Sequence, residues 1–527
     1  NGEPGLAPAR PRRTVCTFCG TGCSMLLTPE ASYPALSHPV SQGALCIRGW
    51  SAGELLSSPL RLRTARLRHS SAGAEAVPVE RALEEAAGRL REVRERHGGG
   101  AIGILGSARI TVEEAALLRR LARAAGTPHL DTLQRVGYLP LPPLPLEEVE
   151  GAGRLTVLGA NTTVRQPQVA RRLLRALDRG ARLRFVHSRR PQLAALVAEH
   201  IVALPGHELE QLEPLAEDEL VLLSSEVALS GQGAEAARRL AGRRALFLTD
   251  FVNQRGVVEA GIHPAPDGLS AWEMLTAAAE GKLKALLVFA DDPFEFFPEL
   301  TARAFARAEL TVVVDALNTR TAARAAVALP GALLAEKHGT VVNMEGRAQE
   351  VAPVAPPPAG WTEGAYATEL ARRLGDDGDG GLPEPAAFEI RGAGLAADTP
   401  SAAYPFLAAL DTTLFWNSHA LVGATVTAWR EARNLFADFP PGCVTLNPDD
   451  ARRLGVTYAS AVTVESEDGA VTLPARIHAR MLPGTVWLAM RCWERCGSRL
   501  GALAFDPGLR IPVFRPRAVR VLRPRSR

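Results

Sequence analysis

"TVCTFCGTGC" (residues 14–23) sets three cysteines within ten residues, and "ALCIRGW" (44–50) adds a fourth after a further twenty-two. The spacing of Cys16, Cys19, Cys23 and Cys46 is C-x2-C-x3-C-x22-C. Thiolates this close, in a loop loosened by Gly20 and Gly22, can converge on one inorganic body, and four of them complete the shell of a cubane cluster. The loop amides can also donate to the sulfurs. Zinc sites bring two close pairs together, and a triplet with a distant single cysteine suits them less well. The chain holds only seven cysteines, too sparse for a disulfide framework.

Working outward, 527 residues exceed what one core can organise and point to roughly three or four domains. Hydrophobic residues make up 46%, as expected of a globular protein. Runs such as "ALLVFA" (285–290) fall far short of the roughly 20 residues that span a bilayer. Sixty basic residues against 57 acidic ones leave no nucleic-acid footprint. The basic end "RPRAVRVLRPRSR" reads as a solvated face rather than a contact tail. "NGEPGLAPARPRR" at the start has no apolar core for an export signal, and a first residue of Asn points to trimming or to an upstream segment. The expected location is cytoplasmic.

"CTFCGTGC … GALCIRGW … SSPLRLRTARLR" resembles the amino-terminal 4Fe–4S segment of the molybdopterin-dinucleotide oxidoreductases. That superfamily includes formate dehydrogenase, periplasmic nitrate reductase and the large iron–sulfur subunit of respiratory complex I. The resemblance implies one 4Fe–4S cluster on Cys16, Cys19, Cys23 and Cys46. It also implies a cation, Arg48, lying between cluster and pterin and helping electrons cross; the plain alternative is a pairing of Arg48 with a nearby carboxylate.

Later segments carry the same likeness. Residues 103–131 read as strand, turn, helix and strand, with Glu113 and Glu114 at the positive end of the helix dipole and Leu117, Leu118 and Leu121 on one apolar face. Residues 154–187 read as a βαβ unit of the open-sheet kind, whose ligand would lie beyond the strand ends. "FVNQRGVVEAGIHP" (251–264), "KALLVFADDPFEFFPEL" (284–300) and above all residues 310–349 are similar to the family's later loops. Residues 444–490, with period-2 alternation and turns at "EDG" and "LPG", look like its β-barrel cap. The expected fold class is multidomain α/β: a 4Fe–4S domain (1–66), an α/β domain (67–131 and 246–350), an inserted Rossmann-like domain (132–245), a Pro/Gly-rich linker (351–405) and a carboxy-terminal barrel (406–527).

Other positions depart from the family. Active relatives carry a Cys, selenocysteine, Ser or Asp as metal ligand before the "GAN" turn. Here residues 132–158, "TLQRVGYLPLPPLPLEEVEGAGRLTVL", contain no Cys, Ser, Asp or His. The segment reads as packing, with Glu147, Glu148 and Glu150 as a solvated turn. Val186, His187, Ser188 and Arg189 stand where relatives have V-D-P-R, and Ala290 to Pro293 replace a G-x-N-P turn. The family's A-D-V-V-L-P is A-A-V-A-L-P at 325–330. Glycine turns and motifs remain at Gly159 and Asn161, Asn253 and Gly256, and Asn343, Gly346 and Arg347. These are expected as relic cofactor-binding positions, or simply as turns the fold requires. Cys443, Cys492 and Cys496 read as ordinary thiols.

Three functions follow, in order. The first is an electron-transferring iron–sulfur subunit of a larger, NADH-linked redox complex, with flavin/NADH-binding and ferredoxin-like partner subunits and no catalytic residue of its own. In this reading the chain has no membrane span but can sit in a membrane-associated complex, and bis-molybdopterin guanine dinucleotide with Mo or W is not expected. The second is an active molybdenum or tungsten enzyme such as a formate dehydrogenase catalytic subunit. The third is an architectural subunit with a structural cluster.

Overall fold

The computed structural model describes residues 10–70, 73–197, 199–378, 380–382, 384–411, 419–426, 442–489 and 492–523. The extreme amino terminus and the last four residues of the basic end, both read above, lie outside them. The chain opens with a small antiparallel sheet, Arg12–Val15, Ser24–Leu27 and Ser32–Pro34, that carries the cysteine loop between its first two strands. Cys46 caps the short helix Ile47–Trp50.

Apolar strand runs build the next layer. "LTVVVD" (Leu310–Asp315) and "ALLVF" (Ala285–Phe289) are buried at every position, as expected of parallel strands covered on both faces. They form the centre of a seven-stranded sheet ordered Gly73–Val77, Ala65–Ser70, Val327–Pro330, Leu310–Asp315, Ala285–Phe289, Ile102–Leu105, Leu130–Asp131. Its last five strands are parallel and the first two form an antiparallel edge. Helix Val112–Ala125 starts at Thr111 with a reciprocal capping box to Glu114 and stops at Gly126, in the left-handed region (φ 70°). It buries Leu118 and Leu121, with Leu117 packed at their edge.

Between its two halves the chain builds a second, five-stranded parallel sheet ordered Glu199–Ile201, Arg182–Val186, Arg154–Leu158, Leu220–Ser224, Ala245–Leu248. Strand order reverses beside Arg154–Leu158, and ligands of open sheets bind outside the strand ends at such a point. At the carboxy end, six strands between Phe406 and Leu522 close into a barrel. Strand Ala470–Ile477 alternates between outward and inward positions over most of its length. Arg189 fastens the inserted sheet to the barrel: it pairs with Glu226 at 2.7 Å and Asp411 at 2.6 Å, and lies 4.4 Å from the Trp487 ring centroid.

The stretch read as linker, 351–405, is not all linker. Residues Glu363–Arg373 form a helix that buries Tyr366 and Leu370 and packs against Val112–Ala125. Buried Lys337 lies between Glu114 (3.0 Å) and Glu363 (2.5 Å), so the docking is fixed by charge as well as by apolar contact. The turn at Glu147–Glu150 also differs from expectation. It is the helix Leu146–Gly151, and Glu150 is buried against Arg172 (2.6 Å), Arg179 (2.8 Å) and Arg175 (3.4 Å).

Candidate metal centre

The cysteine loop is drawn tight by its own backbone. Cys16 N–H donates to the Cys23 carbonyl at 2.8 Å, and Gly22 N–H donates to that of Cys19 at 3.1 Å. Both glycines are required. A Cβ on Gly20 would fall 1.8 Å from Thr249 Oγ1, and Gly22 has φ +62° with Asn343 and Gln349 each 2.8 Å from where its Cβ would be. Cys16, Cys19 and Cys23 are buried and Cys46 is partly so.

The sulfurs act on one another. Burial, and then the thiols of Cys16, Cys19 and Cys46, push Cys23 well above the ordinary thiol range. Burial also raises Cys16, helped by Cys46 and Cys19 and opposed by an N–H from Phe18. Burial raises Cys19 as well, against the opposing pull of Arg48 and the hydroxyl and N–H of Thr21. Bound iron would relieve this crowding. Among the described residues, no three His, Cys, Asp or Glu side chains crowd together as ligands of a single ion. A cubane takes one thiolate per iron, so this donor set fits a 4Fe–4S cluster.

Arg48 is buried beside these thiols. Burial alone would lower its pKa, but Cys19, Cys46 and Cys16 outweigh that and raise it. Its Nη2 donates to the Arg165 carbonyl at 2.5 Å, and Arg165 donates in turn to Asp250 (2.5 Å) and Ser225 (2.7 Å). The cation therefore links the cysteine loop to the switch point of the inserted sheet. The simple carboxylate pairing considered for Arg48 is not what holds it. No sequence motif marked Arg165 or Asp250.

The other predicted positions fall into two groups. Asn343, Gly346 and Arg347 form the tip of the hairpin Gly339–Val342/Ala348–Val351, which straps the cysteine loop. Asn343 Nδ2, Met344 N and Gln349 Nε2 donate to the carbonyls of Thr21 (3.0 Å), Gly20 (2.8 Å) and Gly22 (2.9 Å). Asn343 Oδ1 accepts the N–H groups of Glu345 and Arg347, and Gly346 (φ +78°) lies against Pro143. Asn253 supports the same hairpin from behind: it donates to Ile110 O at 2.8 Å and accepts from Val342 N at 2.7 Å, while Gly256 leaves room for its side chain. The second group, Gly159 and Asn161, sits at the switch point. There Gly159 (φ +57°) packs on Val227, and Asn161 accepts from the Thr163 hydroxyl at 2.8 Å.

The segment before that switch point is core. Tyr138, Leu139, Leu141, Leu144 and Leu146 are buried, and Tyr138 meets Phe247 edge-on at 5.8 Å. Burial raises the Tyr138 phenol above its ordinary range. Nearby, Thr162 Oγ1, Gln166 Oε1 and Ser188 Oγ are buried without a protein hydrogen-bond partner, a donor and acceptor set that suits a polar ligand beyond the strand ends. Residues 132–158 contain no Cys, Ser, Asp or His; of their three carboxylates Glu150 is paired with arginines, while Glu147 and Glu148 are exposed. Ala290 replaces the family's turn glycine and holds a left-handed backbone (φ 53°), a strain of roughly 1 kcal/mol.

Comparison with known proteins agrees with this architecture. The molybdopterin oxidoreductase family matches residues 80–361, its Fe4S4 domain residues 10–58, and the molydopterin dinucleotide binding domain residues 421–514. The chain belongs to the molybdopterin oxidoreductase family. It is 22% identical to the NADPH-Fe(3+) oxidoreductase subunit alpha of Geobacter sulfurreducens, over 95% of this chain and 74% of that one. It is 23% identical to the F420-dependent formate dehydrogenase 2 subunit alpha of Methanococcus maripaludis, over 96% and 98%. It is 22% identical to formate dehydrogenase H of Escherichia coli, over 96% and 95%. Acetylene hydratase from Pelobacter acetylenicus shares the fold, with a TM-score of 0.67 at 14% identity over 97% of this chain and all of that one. The alignment with the Methanococcus subunit runs over 680 positions against 527 residues here, so that relative carries segments with no counterpart in this chain.

Proposed function

We propose that this chain is an iron–sulfur electron-transfer subunit of a larger, NADH-linked redox complex, with its family's catalytic metal chemistry lost. One observation carries the reading: residues 132–158 contain no Cys, Ser, Asp or His, and Thr132 to Leu139 with Leu141, Leu144 and Leu146 are buried. The segments of the Methanococcus maripaludis subunit that have no counterpart here support it. Cys16, Cys19, Cys23 and Cys46 hold the cluster, and the chemistry is outer-sphere electron transfer. The protein excludes water and sets the potential through N–H donors to sulfur and through Arg48. Flavin/NADH-binding and ferredoxin-like subunits are the partners, consistent with relatives named as alpha subunits. Among the described residues no helix is long and apolar enough to cross a membrane, and a cytoplasmic site of action is part of this proposal.

The unpartnered atoms of Thr162, Gln166 and Ser188 favour a second reading, in which a pterin dinucleotide still binds. Such a group, when bound, would supply a ligand frame for molybdenum or tungsten. Elemental analysis for iron, molybdenum and tungsten, with pterin extraction, decides between them. Iron alone supports the relay, whereas molybdenum or tungsten with formate-dependent cluster reduction overturns it. A cluster that does not titrate would leave only an architectural role.

A further inference from the structure

Arg48 rests on a break between two helices. Thr162–Arg165 ends there and Pro167–Asp178 begins, and Pro167 has no N–H to continue the ladder. Arg48 Nη2 enters the break, donating to the carbonyls of Arg165 at 2.5 Å and Val164 at 3.4 Å. On its other side the guanidinium donates to Cys46. The cation is therefore held between a candidate cluster ligand and main chain 117 residues away.

A buried carboxylate holds that main chain in turn. The Asp250 and Arg165 side chains are 0% and 4% exposed. Asp250 Oδ1 accepts from Arg165 Nη2 at 2.5 Å and from Gln166 Nε2 at 3.4 Å, and its Oδ2 accepts from the Ser225 hydroxyl at 2.5 Å. Arg165 also donates to Ser225 at 2.7 Å. The Asp250 N–H donates to Gln254 Oε1 at 2.9 Å, and the preceding residue, Thr249, lies against Gly20 of the cysteine loop. These contacts close a ring that runs from the cysteine loop through Thr249 and Asp250 to Arg165, Arg48 and Cys46. A buried ion pair adds little net stability over apolar packing. A ring of this kind fixes where each member stands.

We propose that Asp250 is a positioning residue for the cluster: by anchoring the Arg165 side chain it fixes the carbonyl on which Arg48 rests, and so holds that cation against Cys46. The proposal rests on the electron-transfer reading above and adds the residues that set where its cation stands. Its signature is a sign. Reduction adds negative charge to the cluster, so a cation that moves away lowers the midpoint potential. Loss of the Asp250 anion acts directly in the opposite sense, because it leaves Arg165 without its counter-charge.

The test is a redox titration of the full iron-loaded chain, followed by EPR. Asp250→Asn should lower the potential although it removes an anion. Because that variant strands a buried Arg165, a charge-neutral replacement of the pair, Arg165→Met with Asp250→Leu, serves as the second arm. It should also lower the potential, with iron content near that of wild type. In an Arg48→Ala background the same replacement should produce no further shift. A raised potential in Asp250→Asn, an unchanged one in the pair replacement, or an equal shift with Arg48 absent would overturn the positioning role. Loss of iron from both variants would make the pair a structural support and overturn it as well. A wild-type cluster that does not titrate would overturn the electron-transfer reading itself, a result seen before any variant is made.

Discussion

Asn343 Nδ2 stands 3.0 Å from the carbonyl oxygen of Thr21, joining the hairpin tip to the middle of the cysteine loop. With Met344 and Gln349 it holds three successive carbonyls, at Gly20, Thr21 and Gly22. Asn343→Leu removes the donor and leaves a buried carbonyl unmet, a cost of about 1–3 kcal/mol. The expected result is a cluster lost several times faster to an iron chelator, followed by its visible absorbance. Gln349→Leu, which loses one bond at the edge of the strap, should show a smaller effect in the same direction. Equal loss rates in all three proteins would show that the strap does not support the cluster.

Cys19→Ser should lower the iron and acid-labile sulfide content from about four of each per chain and abolish the EPR signal of the reduced protein. Stoichiometric zinc without sulfide in the wild type would instead refute the cluster.

Arg48→Ala should lower the midpoint potential, because a buried cation favours the more negative reduced state. Iron content should stay near that of wild type. Arg48→Lys keeps the charge and should recover most of the potential. A redox titration followed by EPR checks both, and one common potential for the three proteins would count against the role.

Burial pushes the Asp315 carboxyl up to about 7, against the opposing charge of Arg109. A carboxyl whose folded pKa exceeds its unfolded value, about 4, holds more protons folded than unfolded between those limits. Its stabilising contribution is therefore complete below pH 4 and is lost as pH rises to 7. Asp315→Asn should flatten that decline and raise stability at pH 8 by about 1–2 kcal/mol. Urea midpoints measured at pH 5 and pH 8 give the comparison.

Glu150→Ala strands the buried Arg172 and should cost about 3 kcal/mol. Arg179 is 62% exposed, so Arg179→Ala should cost less than about 1 kcal/mol. The urea midpoints of the two variants should differ accordingly.

Both open sheets and the barrel were legible in the sequence because their strands are unbroken apolar runs or alternate with period 2. The cysteine spacing marked the centre for a similar reason: its information is local. The helix Glu363–Arg373 was hidden among Pro- and Gly-rich neighbours, and its anchor, Lys337, lies before that stretch. Glu150 read as a surface turn because its partners sit on another helix, although Arg172, Arg175 and Arg179 recur there at helical spacing. The pairing of Arg165 with Asp250 spans 85 residues, a distance over which no single-sequence pattern speaks. Asn343 and Arg347 were read as relic cofactor-binding positions; their hydrogen bonds run to the hairpin and the cysteine loop.

The strap also sets an order of events during synthesis. The bond from Asn343 to Thr21 closes 322 residues and that from Gln349 to Gly22 closes 327, while Thr249, between them in sequence, lies against Gly20. The cysteine loop therefore cannot reach its final shape until the hairpin residues have been synthesised. Cluster insertion becomes a late step in biogenesis, and the four cysteines must be kept reduced and free of stray metal until residues 339–351 emerge.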